Sequence, residues 1–116
     1  MPVRTARVYD PPTTEDGLRV LTMRYWPRGV RRERADAWER GLAPTRELLA
    51  DYRQGRIDWP AYAARYLTEM DERTDAREAL ARVRGQAAGG TVTLLCGCVD
   101  EQRCHRTLLA GLITGS

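Results

Sequence analysis

Residues 91–96, TVTLLC, form an uninterrupted apolar, β-rich run, the pattern of a strand covered on both faces. Two more β-favouring stretches stand near the N-terminus. VRTARVY (3–9) alternates loosely and gives way to DPPTTEDG, where prolines, threonines and Asp16-Gly17 mark a loop. LRVLTMRYW (18–26) then resumes a strand pattern until Pro27 and Gly29 stop it. The connector of about eight residues is short for a helical crossover, so these two strands are either antiparallel or parallel across a bare loop.

The middle of the chain changes period. Asp36 is placed as the N-cap of a short helix carrying Trp38 and Leu42, weakened at Gly41. Pro44 suits the first turn of the next helix, with Leu48, Leu49 and Tyr52 on one face and an end near Gly55. Another helix begins at DWP, and Trp59, Tyr62, Ala63, Tyr66, Leu67 and Met70 give it a continuous apolar face. Helical spacing accounts for all of these aromatics, so they are assigned to core and not to a platform for stacking bases. Asp75 and Glu78 resemble a capping pair for a helix whose stripe of Ala76, Leu80, Val83 and Ala87 ends at Gly89-Gly90. HRTLLAGLI supplies a closing helix.

The order is strand, strand, several helices, buried strand, helix, without an internal repeat. It predicts a single α/β domain over residues 1–116: a small layered fold with a short, at least partly parallel sheet covered by helices. In such sheets ligands gather where strand C-termini meet helix N-termini. The chain has no apolar run of membrane-spanning length and no secretion-type apolar core at its start, so a cytoplasmic location is expected and no membrane contact.

Charge narrows the partners. All 19 basic residues are arginine, 16 acidic residues are scattered among them, and the net charge is +3. That balance permits phosphate contact but makes no nucleic-acid stripe. The densest run, RGVRRERAD (28–36), reads first as a solvated face; its functional alternatives place Arg28 and its neighbours over an anionic substrate, or arginines 28–34 on nucleic acid, which is not favoured. The pattern assigns no oligomeric state.

The chemistry-bearing residues are concentrated in CGCVDEQRCHR (96–106), which holds all three cysteines and the only histidine. Three cysteines cannot all pair, and in a reducing compartment free thiols or metal ligands are expected. Three readings stay open. In the first, the helix opening near Arg103 and the charges of Arg103 and Arg106 lower a thiol pKa, Cys96 or Cys104 is the nucleophile or redox thiol, and His105 transfers protons. In the second, Cys96, Cys98, Cys104 and His105 hold zinc; Cys96 and Cys98 point the same way on an extended chain, but adjacent Cys104 and His105 on a helix would project about 100° apart. In the third the cysteines are small buried hydrophobes, Arg106 pairs with Asp100 or Glu101, and His105 caps a turn. Six residues after Cys96 stands Gln102, and six after Cys98 stands Cys104, so the phosphatase spacing of cysteine to arginine is absent; Gly97 alone does not make a nucleotide P-loop.

LLCGCVDEQRCHRTLLAGL resembles the closing segment of the domain-of-unknown-function 488 family, and RVYDPP, DGLRVL, RYWPRGV, WERGLAPTREL and AYAARYLTEM are similar to its short YeaO-like branch. The resemblance covers nearly the whole chain. It implies a compact α/β domain with no settled activity, and marks Arg24, Pro27, Cys96, Cys104, His105 and Arg106. Two positions depart from the pattern: Met23 stands where the branch has aspartate before the arginine, and Cys98 where the wider family has glutamate. The second exchange preserves metal ligation but not ordinary carboxylic-acid chemistry.

The function expected from the sequence is therefore binding of a small phosphate- or carboxylate-bearing anion by Arg24, Arg28 and Arg106, with thiol chemistry at Cys96, Cys104 and His105 and no cofactor. The alternative is a zinc-stabilised or nucleic-acid-contacting module that is not an enzyme.

Overall fold

The computed structural model describes residues 3–98 and 100–115. Its elements are strands β1 (Val3–Arg7), β2 (Leu18–Leu21) and β3 (Ala37–Trp38), helices α1 (Arg46–Arg53), α2 (Trp59–Glu72) and α3 (Thr74–Gly89), strand β4 (Val92–Cys96) and helix α4 (His105–Thr114). Short 3₁₀ turns occupy Arg32–Arg34, Arg40–Leu42 and Glu101–Arg103. The strands form one sheet, ordered β1-β4-β2-β3 and parallel throughout.

β4 is the apolar run anticipated at 91–96. It sits between β1 and β2, and all five of its residues are buried, which is why its sequence shows no polar alternation. β1 and β2 are thus not neighbours, and the loop between them reaches across β4 without a helix. Asp16 organises that loop: its carboxylate accepts from the Thr13 backbone N–H and hydroxyl and from Arg19 Nη1 at 2.5 Å. Gly17 follows at φ 60°, and a β-carbon there would run into the Thr91 carbonyl. Only glycine fits both demands. The close approach lets Leu18 N–H donate to Thr91 O at 2.9 Å and start the β2–β4 register.

The sheet is covered unequally. Val20, Val92 and Leu94 point into the larger core, to which every helix contributes, including Leu48, Tyr66, Val83 and Leu109. Leu21 and Leu95 point the other way into a smaller cluster with Val8, Trp26, Val30 and Trp38. Helices therefore cover one face only, and loops cover the second. Each fully buried leucine contributes about 1.5–3 kcal/mol relative to exposure, so the helical face dominates stability.

Four expectations need correction. Asp36 does not cap a helix: Ala37–Trp38 is an edge strand paired with Val20 and Leu21, followed by the 3₁₀ turn that buries Leu42. Backbone bonds from Asp36 N–H to Arg19 O (2.8 Å) and Glu39 N–H to Leu21 O (2.9 Å) fix the segment as extended. β2 ends at Leu21 and not near Trp26: Thr22 N–H still donates to Leu95 O, and from Met23 onward the chain leaves the sheet, with Trp26 Nε1 donating to Val30 O and Trp38 Nε1 to Met23 O. On α2, Tyr62, Tyr66 and Met70 are buried, whereas Leu67 is exposed; the helix packs on its i, i+4, i+8 row, and Leu67 lies outside it. The starts of α1 and α2 fall close to expectation, whereas Asp75 and Glu78 do not cap α3: its N-cap position is Arg73, without a side-chain cap, and Asp75 lies inside the first turn, where it holds the Arg73 guanidinium. Thr45 caps α1 through Leu48 N–H, and Asp58 caps α2 through Ala61 N–H.

Candidate functional site

At the C-terminal ends of β2 and β4, beside the start of α4, lies a cavity of about 480 Å³. This is where a parallel α/β sheet places ligands. Its wall takes Cys96 from the end of β4, Gly97 and Cys98 from the loop, Arg103, Cys104 and His105 from the approach to α4, and Met23 to Pro27 from the segment leaving β2. Gly97 packs between Met23 and Tyr9.

The cluster is tight. Cys96 Sγ lies 3.4 Å from Cys98 Sγ and 3.9 Å from His105 Nδ1. Ligand atoms of Cys96, Cys104 and His105 all fall within 4.8 Å of one another. All three cysteines are free thiols. Cys104 joins the group because it is the N-cap of α4, with extended φ −141° and ψ 139°. The helical 100° separation therefore does not apply between Cys104 and His105. It does apply between His105 and Arg106, both inside α4.

Arg106 accordingly turns away. Its Nη1 donates to the carbonyls of Cys96 (3.4 Å) and Cys98 (3.1 Å), and it lines a second cavity, not the thiol cavity. Arg28 is exposed and lines neither. The neighbouring basic run folds back onto the protein: Arg32 lies 4.8 Å from the centre of the Trp26 ring, and Arg34 donates to Asp10 O. Of the arginines expected to face the cysteines, only Arg24 and Arg103 line the thiol cavity. Arg24 is fixed there by its Nε, which donates to Pro44 O at 2.8 Å.

Several lining residues carry no chemical flag in the sequence. Tyr9, Tyr25, Leu49, Tyr52, Arg53 and Tyr62 complete the wall. Tyr62 is visible only as a member of the α2 stripe, since the N-terminal part of that stripe serves both core and cavity. The described lining thus combines aromatic surface, three arginines (Arg24, Arg53 and Arg103) and no carboxylate.

Electrostatics single out one sulfur. The S–H groups of Cys104 and then Cys98 point their hydrogen bonds at Cys96 and, with the charge of Arg106, hold its thiol well below the ordinary range. Cys104 is pushed up because it donates to Cys96 and Cys98 and is buried. Cys98 is drawn down by Cys104, but its bond to Cys96 and its burial leave it raised on balance. One proton vacancy is thus stabilised at Cys96 by two neighbouring S–H donors. His105 is held below its ordinary value of 6.5 by burial, despite the Thr22 carbonyl beside it. Burial, followed by the cysteine charges, pushes the Tyr62 phenol up.

Fold and site define a small parallel α/β protein with a thiol–imidazole cluster at the carboxyl edge of its sheet. Residues 3–116 match the family described as the active DUF488-N3 subclade, and the chain belongs to that family. It is 34% identical over 115 residues to the uncharacterized protein Rv3073c of Mycobacterium tuberculosis, covering 97% of this chain and 94% of that protein. It is 30% identical over 112 residues to the uncharacterized protein YeaO of Escherichia coli, covering 95% of each. No solved structure matches. No helix among the described residues is long and apolar enough to cross a membrane.

Proposed function

We propose that the protein binds a small anion with an apolar or aromatic body in the 480 Å³ cavity and carries out thiol chemistry on it. The observation that carries this reading is the composition of one wall: three thiols, an imidazole and three arginines, with no carboxylate among the described lining residues. Arg24, Arg53 and Arg103 are suited to a carboxylate or phosphate group. The tyrosines and Trp26 are suited to the rest of the molecule. Cys96 is the nucleophile in this scheme. It enters the reaction as a thiolate held by the S–H donors of Cys104 and Cys98. The sulfur attacks an electrophilic atom of the ligand, the bond to the departing group breaks with its electron pair, and that group is protonated by water, while the neutral His105 keeps Nδ1 facing the sulfur.

The test is a thermal-shift and calorimetric screen of nucleoside monophosphates and aromatic carboxylates, coupled to iodoacetamide labelling of Cys96 followed by mass spectrometry. A ligand of the cavity protects Cys96 from alkylation, and Arg103→Gln or Arg53→Gln weakens it about tenfold, the loss expected when one charged hydrogen bond is removed. An anion set that neither binds nor protects, in protein with intact thiols, overturns the reading.

A second reading is favoured by the compactness of the Cys96–Cys104–His105 group. Its donor set fits zinc: two sulfurs and Nδ1 converge, Cys98 Sγ is beside Cys96, and His105 Nε2 is anchored to a backbone carbonyl as zinc-bound histidines commonly are. Native mass spectrometry separates the two. One retained zinc, with Cys104→Ser failing to fold, supports the metal; a zinc-free protein whose Cys104→Ser variant folds normally supports the thiol.

A further inference from the structure

On the other side of the segment that joins β4 to α4 is a second cavity, of about 620 Å³, which shares no lining residue with the first. Its wall comes from β1, the Asp10–Asp16 loop, Arg19, Asp100, Gln102 and Arg106. Four arginines line it, and they are not equivalent.

Arg19 is fully engaged: Nη1 with Asp16, Nε with Arg34 O at 2.6 Å and Nη2 with Asp10 O at 3.3 Å. Arg4 lies 3.4 Å from Asp16 and 3.9 Å from Glu15. Arg7 and Arg106 have no carboxylate partner among the described residues, and each keeps a buried Nε–H that meets no acceptor. Arg106 is only 3% exposed. The acids of the wall are occupied elsewhere: Asp16 holds Arg19 and Thr13, Asp10 accepts from the Arg7 backbone N–H, and Asp100 accepts from Gln102 N–H. Folded proteins rarely leave a buried guanidinium donor without an acceptor. Here two such donors belong to arginines on one cavity, and guanidinium groups of this kind are matched by the oxygens of a phosphate.

We propose that this cavity is an oxyanion site in which Arg7 and Arg106 hold a phosphate group, free or as a monoester. The site does not depend on the thiol reading. Arg7 comes from the edge strand and Arg106 from the first turn of α4, so the anion bridges β1 to the segment that carries the cysteines. Arg106 also holds the carbonyls of Cys96 and Cys98, which places the bound group one residue's reach from the thiol loop.

Calorimetric titration with inorganic phosphate, and separately with glycerol phosphate, tests the assignment on the full chain. Arg7 is half-buried on an edge strand, so Arg7→Gln is the informative variant, and Arg106→Lys a second one that keeps the charge but loses the fork. Saturable binding by the native protein is expected, weakened at least tenfold in Arg7→Gln with its thermal midpoint retained, and unchanged in Arg103→Gln. Tighter glycerol phosphate binding assigns a monoester, and tighter phosphate binding the free ion. Absence of saturable binding, or equal affinity in Arg7→Gln, overturns the proposal. Loss in Arg103→Gln with retention in Arg7→Gln also overturns it, and assigns the phosphate to the thiol cavity instead.

Discussion

His105 Nε2 lies 2.9 Å from the carbonyl oxygen of Thr22. A carbonyl only accepts, so Nε2 carries the proton and Nδ1 is left with its lone pair facing Cys96 Sγ. The hydroxyl of Thr22 lies 3.1 Å from the same nitrogen and itself donates to Leu95 O. The end of β2 thereby fixes both the tautomer and the orientation of the imidazole before any ligand arrives.

This burial has a pH consequence. The native imidazole is held below 6.5, the value expected for the unfolded chain, so below that pH the unfolded state takes up a proton that the native state resists. The imidazole's contribution to the stability of the metal-free protein should fall as pH drops through 6.5 and level off below the native value, with a slope of at most about 1.4 kcal/mol per pH unit added to that of the lowered Cys96 thiol. Asp16 is depressed below 3.8, so its contribution is present above that value and is lost only at more acid pH. Urea unfolding between pH 7.5 and 5 should show a steeper loss below pH 6.5 in native protein than in His105→Gln, which keeps only the slope set by the lowered Cys96 thiol. Identical slopes in the two proteins would mean that the imidazole is not shielded as described.

The thiol cluster allows a sharper comparison. The donor bond from Cys104 is the largest cause of the lowered Cys96 thiol, and serine preserves a donor while alanine does not. The rate of Cys96 alkylation by iodoacetamide, followed against pH by mass spectrometry, should titrate well below 9.0 in native protein and in Cys104→Ser. In Cys104→Ala the midpoint should rise by about one unit or more, the scale of a lost charge-assisted bond. Identical midpoints in the two variants would show that Cys104 does not hold the thiolate.

What the sequence made legible follows from how locally each feature is encoded. The TVTLLC run announces a strand because burial on both faces leaves no polar position, and Ala76, Leu80, Val83 and Ala87 announce α3 because one face repeats. β3 is a different case: two residues cannot carry a period, and only the Asp36 and Glu39 backbone bonds to β2 make them a strand. The cysteines and His105 are legible as a cluster from their crowding in one short segment. The side to which each residue points is not, since it depends on Cys104 being extended and His105 helical. That single change of backbone brings Cys104 into the cavity and turns Arg106 out of it.

Tyr66 provides a check on how the helical layer is tied to the sheet's far edge. Its hydroxyl donates to Leu42 O at 2.6 Å within the core, linking α2 to the 3₁₀ turn after β3. Tyr66→Phe keeps the ring and leaves that carbonyl buried without its donor. A loss of about 1–3 kcal/mol in urea unfolding is expected, with a larger loss for Tyr66→Ala, which also removes buried ring surface. A phenylalanine variant as stable as the native protein would show that the carbonyl finds another donor.

Asp36 tests the edge strand directly. Its carboxylate accepts from Arg19 N–H at 2.8 Å, while its own N–H donates to Arg19 O at 2.8 Å, so one residue closes both backbone groups of Arg19. Arg19 is buried and also holds Asp16, so its backbone donor has little recourse to water. Asp36→Ala should cost about 1–2 kcal/mol in urea unfolding, the scale of one lost hydrogen bond to a charged acceptor plus an exposed donor's penalty. Asp36→Asn retains a side-chain oxygen in the same place and should recover most of that. A helix cap would give the same order of stability, since asparagine caps about as well as aspartate and alanine does not, but its carboxylate would serve the N–H groups of residues 38 or 39, and amide exchange at Arg19 would be indifferent to the substitution. Faster hydrogen exchange of the Arg19 amide in Asp36→Ala, but not in Asp36→Asn, therefore distinguishes the strand from the cap at a single backbone atom.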